Sequence, residues 1–199
     1  MADRTVMGRG RLEAFSDAVI AIIMTIMVLE LRPPHGTDLA SLRPLVPVFT
    51  SYLVSFVFLG IYWNNHHHLL HAVQRVTGST LWANLHLLFW LSLVPFVTAW
   101  MGDTHFARSS IILYGVVQIG AAVAYWILVQ RLLASHPHDS AIARAIGNDF
   151  KGRISVVGYA AGIALSFVHP LVGLLLYVMV DVWWLIPDRR IERALNETH

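Results

Sequence analysis

The chain has 199 residues, of which 56% are hydrophobic and only 13% charged, and its mean hydropathy is +0.60. A soluble domain carries about 45 to 50% apolar residues, so the surplus excludes an ordinary water-soluble fold and points to lipid as the solvent. The net charge of +2 comes from basic residues beside apolar stretches, which argues against nucleic acid as a partner, and the absence of cysteine excludes disulfides, thiolate metal sites and cysteine nucleophiles.

The opening residues MADRTVMGRGR run straight into an apolar stretch that has no Ala-x-Ala cleavage site and contains an acid. It reads as a retained first span, not a signal peptide. Six spans are predicted in all, at 12–32, 46–73, 79–101, 108–132, 153–168 and 170–187. Pro33-Pro34 ends the first, Gly78-Ser79 separates the second from the third, and Gly102-Asp103 the third from the fourth. The longest connection, His136 to Phe150, includes a candidate interfacial helix in SAIARAIGNDF. Val168, His169 and Pro170 interrupt a final apolar region too long for one span and suited to two short ones. The expectation is a single all-α membrane domain over 1–199.

An even number of spans puts both termini on one side. Arg4, Arg9, Arg11, Arg75, Arg131, Arg144, Lys151, Arg153, Arg189, Arg190 and Arg193 then fall on that side, against Arg32, Arg43 and Arg108 on the other. Loops rich in Lys and Arg stay in the cytoplasm, so both termini are expected there, with the protein in the plasma (inner) membrane. Trp82, Trp100, Tyr114 and the Trp183-Trp184 pair lie near span ends, where aromatic belts form.

The first span carries the most informative residues. Asp17 lies one or two turns inside it, and an acid at mid-span costs about 2.5 to 3.5 kcal/mol on insertion scales. It should face the protein interior and find a partner, the alternative being a helix-end acid that reaches interfacial water. At about 100° per residue from Asp17, Ala18, Ile22, Thr25 and Leu29 fall near 100°, 140°, 80° and 120°, a narrow stripe, while Ala21, Met24 and Val28 share the face of Asp17. The acid can thus pack within its own subunit while Ile22, Thr25 and Leu29 turn to a symmetry axis. Ordinary packing explains such a stripe too, because threonine can bond its own helix backbone.

The second span holds Trp63, Asn64, Asn65, His66, His67, His68 and His71. Trp63 and His67 share a face, so an indole N–H and an imidazole can both be expected at Asp17, with Asn84 of the third span in the same network. His66, His68 and His71 read as solvated interfacial residues. His67 and His71 also have the spacing of a metal pair, but no carboxylate completes a signature such as HExxH, so neither metal nor haem is expected. Gln118, Ser166 and Asp181 are candidates for bonds between helices, Asp181 with Arg153 or Arg131 as ionic partner. No nucleophile and base pairing, phosphate-binding glycine loop or pair of acids argues for an enzyme or a cofactor, and no TVGYG-type filter is present.

Arg11-x3-Phe15-Ser16-Asp17 resembles the signature of the prokaryotic relatives of the lysosomal potassium channel, the transmembrane protein 175 family. Trp63-x3-His67, Asn84-Leu85 and the Leu91 to Pro95-Phe96 stretch fit the same pattern. The resemblance implies a homotetramer whose first helix lines a potassium pore, with Ile22 as hydrophobic constriction, Thr25 as a selectivity ring and Leu29 as a second apolar ring. It also implies that the Phe15-Ser16-Asp17 element ties that helix to the second and third. A proton-coupled transporter or proton-conducting protein using Asp17 and His67 is the alternative function.

Overall fold

The computed structural model describes residues 7–71, 73, 76–135 and 150–185. The candidate interfacial helix at 140–149, and six of the arginines counted for orientation (Arg4, Arg75, Arg144, Arg189, Arg190 and Arg193), lie outside the described residues.

Among the described residues the fold is helical throughout, as a chain in lipid requires when water cannot satisfy its backbone. The first helix, α1, spans Arg9–Leu29 and stops ahead of Pro33-Pro34. A 3₁₀ turn over Leu39–Leu45 follows, its start capped by the Asp38 carboxylate, which accepts the Ser41 backbone N–H at 3.1 Å. Sequence patterning gave no sign of this turn, because Pro44 lies inside it. It leads directly into α2, Val46–His71.

The third span is broken. Its first part, α3, covers Gly78–Ser92 and its second, α4, covers Val94–Asp103, whereas the sequence pattern reads as one continuous helix. Pro95 has no N–H for the Leu91 carbonyl, and the chain tightens at Leu93, whose N–H reaches the Trp90 carbonyl at 3.2 Å. The turn after α4 places His105 and Phe106 at positive φ, 51° and 61°, so that the Phe106 N–H returns to the Met101 carbonyl at 2.9 Å.

The long α5 spans Arg108–Ala134, and α6, Phe150–Ser166, meets α7, Pro170–Leu185, across a break at Phe167 to His169, one residue earlier than the expected Val168 to Pro170. Counting α3 and α4 as one span, six apolar helical segments result, four of them of full membrane length. At 1.5 Å per residue α6 and α7 are about 25 and 24 Å long, close to the thinnest layer a helix can cross.

Lipid tails are as apolar as leucine, so interior packing rests on close contact and polar bonds more than on exclusion of water. Small residues supply the contact. Gly115 of α5 lies under Tyr177 of α7, and Gly120 lies under the Trp90 indole of α3. The polar bonds join the same helices: Asp181 of α7 accepts from Gln118 Nε2 of α5 at 3.2 Å and from Tyr159 Oη of α6 at 2.7 Å. Among the described residues both of these donors are neutral, and the side chain of Arg153, one of the two expected ionic partners, lies outside what is described. The Ser166 hydroxyl donates to the Gly162 carbonyl of its own helix at 2.8 Å and lies over Gly173 of α7. Tyr114, expected in an interfacial belt, is buried, where its hydroxyl accepts from Ser55 of α2 at 3.1 Å.

Candidate functional site

The first helix touches its own subunit along one side only. Leu12, Ser16, Ile20, Ile23 and Met27 are buried against α2, α3 and α4. These positions recur every three or four residues, and around the helix they lie opposite the stripe of Ala18, Ile22, Thr25 and Leu29. Ile22 is 57% exposed and Leu29 76%, with Thr25 exposed between them. None of the three enters the subunit's core. The Thr25 hydroxyl donates to the Ile22 carbonyl at 2.9 Å, which commits its hydrogen to the backbone and leaves only oxygen lone pairs to present outward.

Two sets of polar bonds hold the helix, one on that buried side and one on the face beside it. Ser16 is fully buried; its hydroxyl donates to the Leu12 carbonyl at 2.9 Å and accepts from Asn84 Nδ2 of α3 at 2.9 Å. Asn84 is in turn bonded through Oδ1 to His66 Nε2 of α2 at 2.8 Å, so one side chain from each of three helices meets in a short relay. His66, read from sequence as solvated, is completely buried here. An amide oxygen accepts, so His66 Nε2 carries the proton of this bond.

Next to Ser16, but turned by about 100° around the helix, Asp17 accepts from Trp63 Nε1 at 3.1 Å. The expected second partner, His67, is not at Asp17. Its Nδ1 lies 2.9 Å from Glu13 Oε1, and His71 Nδ1 lies 3.6 Å from the same oxygen. Still nearer the helix start, Arg9 Nη1 donates to the His71 carbonyl at 3.0 Å. The two helices run antiparallel, so each four-residue step back along α1 meets a four-residue step on along α2, from Asp17 and Trp63 to Glu13 and His67 to Arg9 and His71.

Sequence reading missed Glu13 and His66. Glu13 had a visible signal, an acid one turn before Asp17 opposite an aromatic and imidazole series spaced by four. His66 had none, since three consecutive histidines point three ways on a helix. Arg11 and Phe15 are exposed, Phe15 to 48%, and neither joins the relay or the ladder. The structure thus brings Ser16, Asp17, Trp63 and Asn84 together around α1 and sends His67 to a different acid.

Residues 11–95 match the family described as endosomal/lysosomal potassium channel TMEM175. A potassium channel of Chryseobacterium sp. is 52% identical over 191 residues, which cover 96% of this chain and all of that protein. The crystal structure of a lysosomal potassium-selective channel TMEM175 homolog from Chamaesiphon minutus superposes with a TM-score of 0.78 at 26% identity, covering 89% of this chain and 96% of that one. The endosomal/lysosomal proton channel TMEM175 of Gallus gallus is 26% identical over 60% of this chain, but that stretch is only 26% of the longer animal protein. Spans, relay and outward stripe together with these matches make the chain a multi-pass membrane protein that belongs to the TMEM175 family, a family of ion channels and not of enzymes.

Proposed function

We propose that the chain, as a single six-helix domain, forms a potassium-conducting channel whose pore is walled by α1 from four copies. The observation that carries this reading is the two-sidedness of α1: its buried side is bonded into the subunit, and Ile22, Thr25 and Leu29 stand on the opposite side. The relative that is 52% identical and the solved homolog both bear the name of potassium channels.

The mechanism follows from the chemistry of that stripe. Four Ile22 side chains around an axis make an apolar ring that excludes water when narrow and admits a partly hydrated ion when it widens, which is gating by dewetting. One turn further on, a ring of Thr25 oxygens replaces part of the water an ion gives up. Potassium surrenders its hydration more easily than sodium, so the ring favours it, and hydroxyls hold an ion less tightly than a full carbonyl filter. Leu29 adds a second apolar ring. Asp17, Ser16 and their partners keep α1 from turning these residues into lipid.

The bias of Lys and Arg toward one side supports cytoplasmic termini, and the reading takes the channel to lie in the plasma membrane with the bilayer, potassium and three further copies of the chain as its partners. It needs no cofactor. The animal relatives' proton-channel name supports a second reading, in which Asp17 and His67 pass protons, but these two side chains bond to different groups, Trp63 and Glu13.

The test is ion flux through purified protein in liposomes, read beside the mass of the assembly. A tetramer that passes potassium faster than sodium with no proton gradient supports the proposal. A monomer or dimer whose transport requires a proton gradient overturns it.

A further inference from the structure

We infer that Glu13, His67 and His71 form a binding site for a borderline transition-metal dication such as Zn²⁺, which would staple the first turns of α1 to the last turn of α2. One carboxylate oxygen and two imidazole nitrogens, one from each residue, all lie within 4.8 Å of one another. Glu13 Oε1 is 2.9 Å from His67 Nδ1 and 3.6 Å from His71 Nδ1. In a tetrahedral zinc site with bonds of about 2.0 to 2.1 Å, ligand atoms are about 3.3 Å apart, so the two separations from Glu13 bracket what the ion needs.

The donor set has the composition of a His₂Glu site, with a fourth position left for water. Imidazole nitrogen suits zinc, cobalt, nickel or copper and not calcium or magnesium, which take oxygen. The approach is open on one side: the Glu13 side chain is 15% exposed, whereas those of His67 and His71 are 38% and 50% exposed. The scaffold is stiff, because the histidines stand one helical turn apart on α2 and the neighbouring rungs, Asp17 to Trp63 and Arg9 to the His71 carbonyl, fix the register of the two helices. Sequence spacing pointed the other way only because the completing carboxylate is 54 residues before His67, on another helix. The Arg9 guanidinium, held at the His71 carbonyl, adds nearby positive charge that weakens the site.

The inference stands apart from ion conduction and is tested on the full chain in detergent. Titration with Co²⁺, read by its visible d–d absorption, should show tetrahedral coordination saturating at one ion per chain, and Zn²⁺ should displace it and raise the unfolding temperature. His71→Ala, a change at an exposed side chain, and Glu13→Gln should each weaken Co²⁺ binding by more than the about 10- to 100-fold typical of changes behind a ligand. His35→Ala, a histidine in the loop after α1, should leave it unchanged. An octahedral spectrum, or binding in both His71→Ala and Glu13→Gln as tight as in the parent, would overturn the assignment.

Discussion

Ser16 and Asp17 are neighbours in the chain and serve different helices. Ser16 is dry and takes the amide of Asn84; Asp17 is partly open and takes the indole N–H of Trp63. Losing Asn84 is therefore the more damaging change. Asn84→Leu leaves Ser16 without its interhelical donor and the His66 ring without its partner in a buried space, at a cost of about 1 to 3 kcal/mol for each polar group stranded; a lowered unfolding temperature in detergent checks it. Asp17→Asn is milder than the motif suggests, since an amide oxygen can still accept from Trp63. Asp17→Leu removes the acceptor, and loss of the assembled oligomer on size exclusion is the expected result. On the opposite side of the helix, Ile22→Ala should raise single-channel conductance by opening the apolar ring. Thr25→Ala should reduce the potassium to sodium permeability ratio about three- to tenfold, equivalent to roughly 0.7 to 1.4 kcal/mol, with Thr25→Ser retaining most of it.

At the scale of helices, much could be read beforehand. Apolar length and the helix breakers Pro33, Gly78, Gly102 and Pro170 placed all six spans to within a few residues. The break at Leu93 was hidden because Pro95 sits in a run whose hydropathy never falls, and hydropathy does not register a missing backbone donor. Bonds between helices were the least legible, for a physical reason: a helix sequence gives the angle at which a side chain leaves, and not which neighbour stands there. That is why Trp63 could be matched to Asp17 while His67 was assigned to the wrong acid. The central packing around α5 gives a sharp check. Gly120→Leu would drive a side chain into the Trp90 indole and separate α5 from α3, a form of overpacking that typically costs about 1 to 3 kcal/mol. Tyr159→Phe removes a donor from buried Asp181 and should lower stability by about 1 to 3 kcal/mol, leaving ion selectivity untouched; thermal unfolding and reversal potentials measured on one preparation separate the two effects.

For the whole molecule, among the described residues a single copy leaves the outer side of α1 without a covering helix, and Ile22, Ile26 and Leu29 are exposed there. Such a surface suits either lipid or a shared axis, and Thr25 in its middle is what favours the axis. The natural absence of cysteine makes this directly measurable. In Thr25→Cys every thiol in the assembly is at the position in question, and a charged, membrane-impermeant thiol reagent reaches it only through water. If α1 walls the pore, the reagent applied to the open channel in a planar bilayer abolishes most of the potassium current, and the parent chain is unaffected. If the current persists while a lipid-soluble maleimide labels the same thiol, Thr25 faces the bilayer and the account of the pore is wrong.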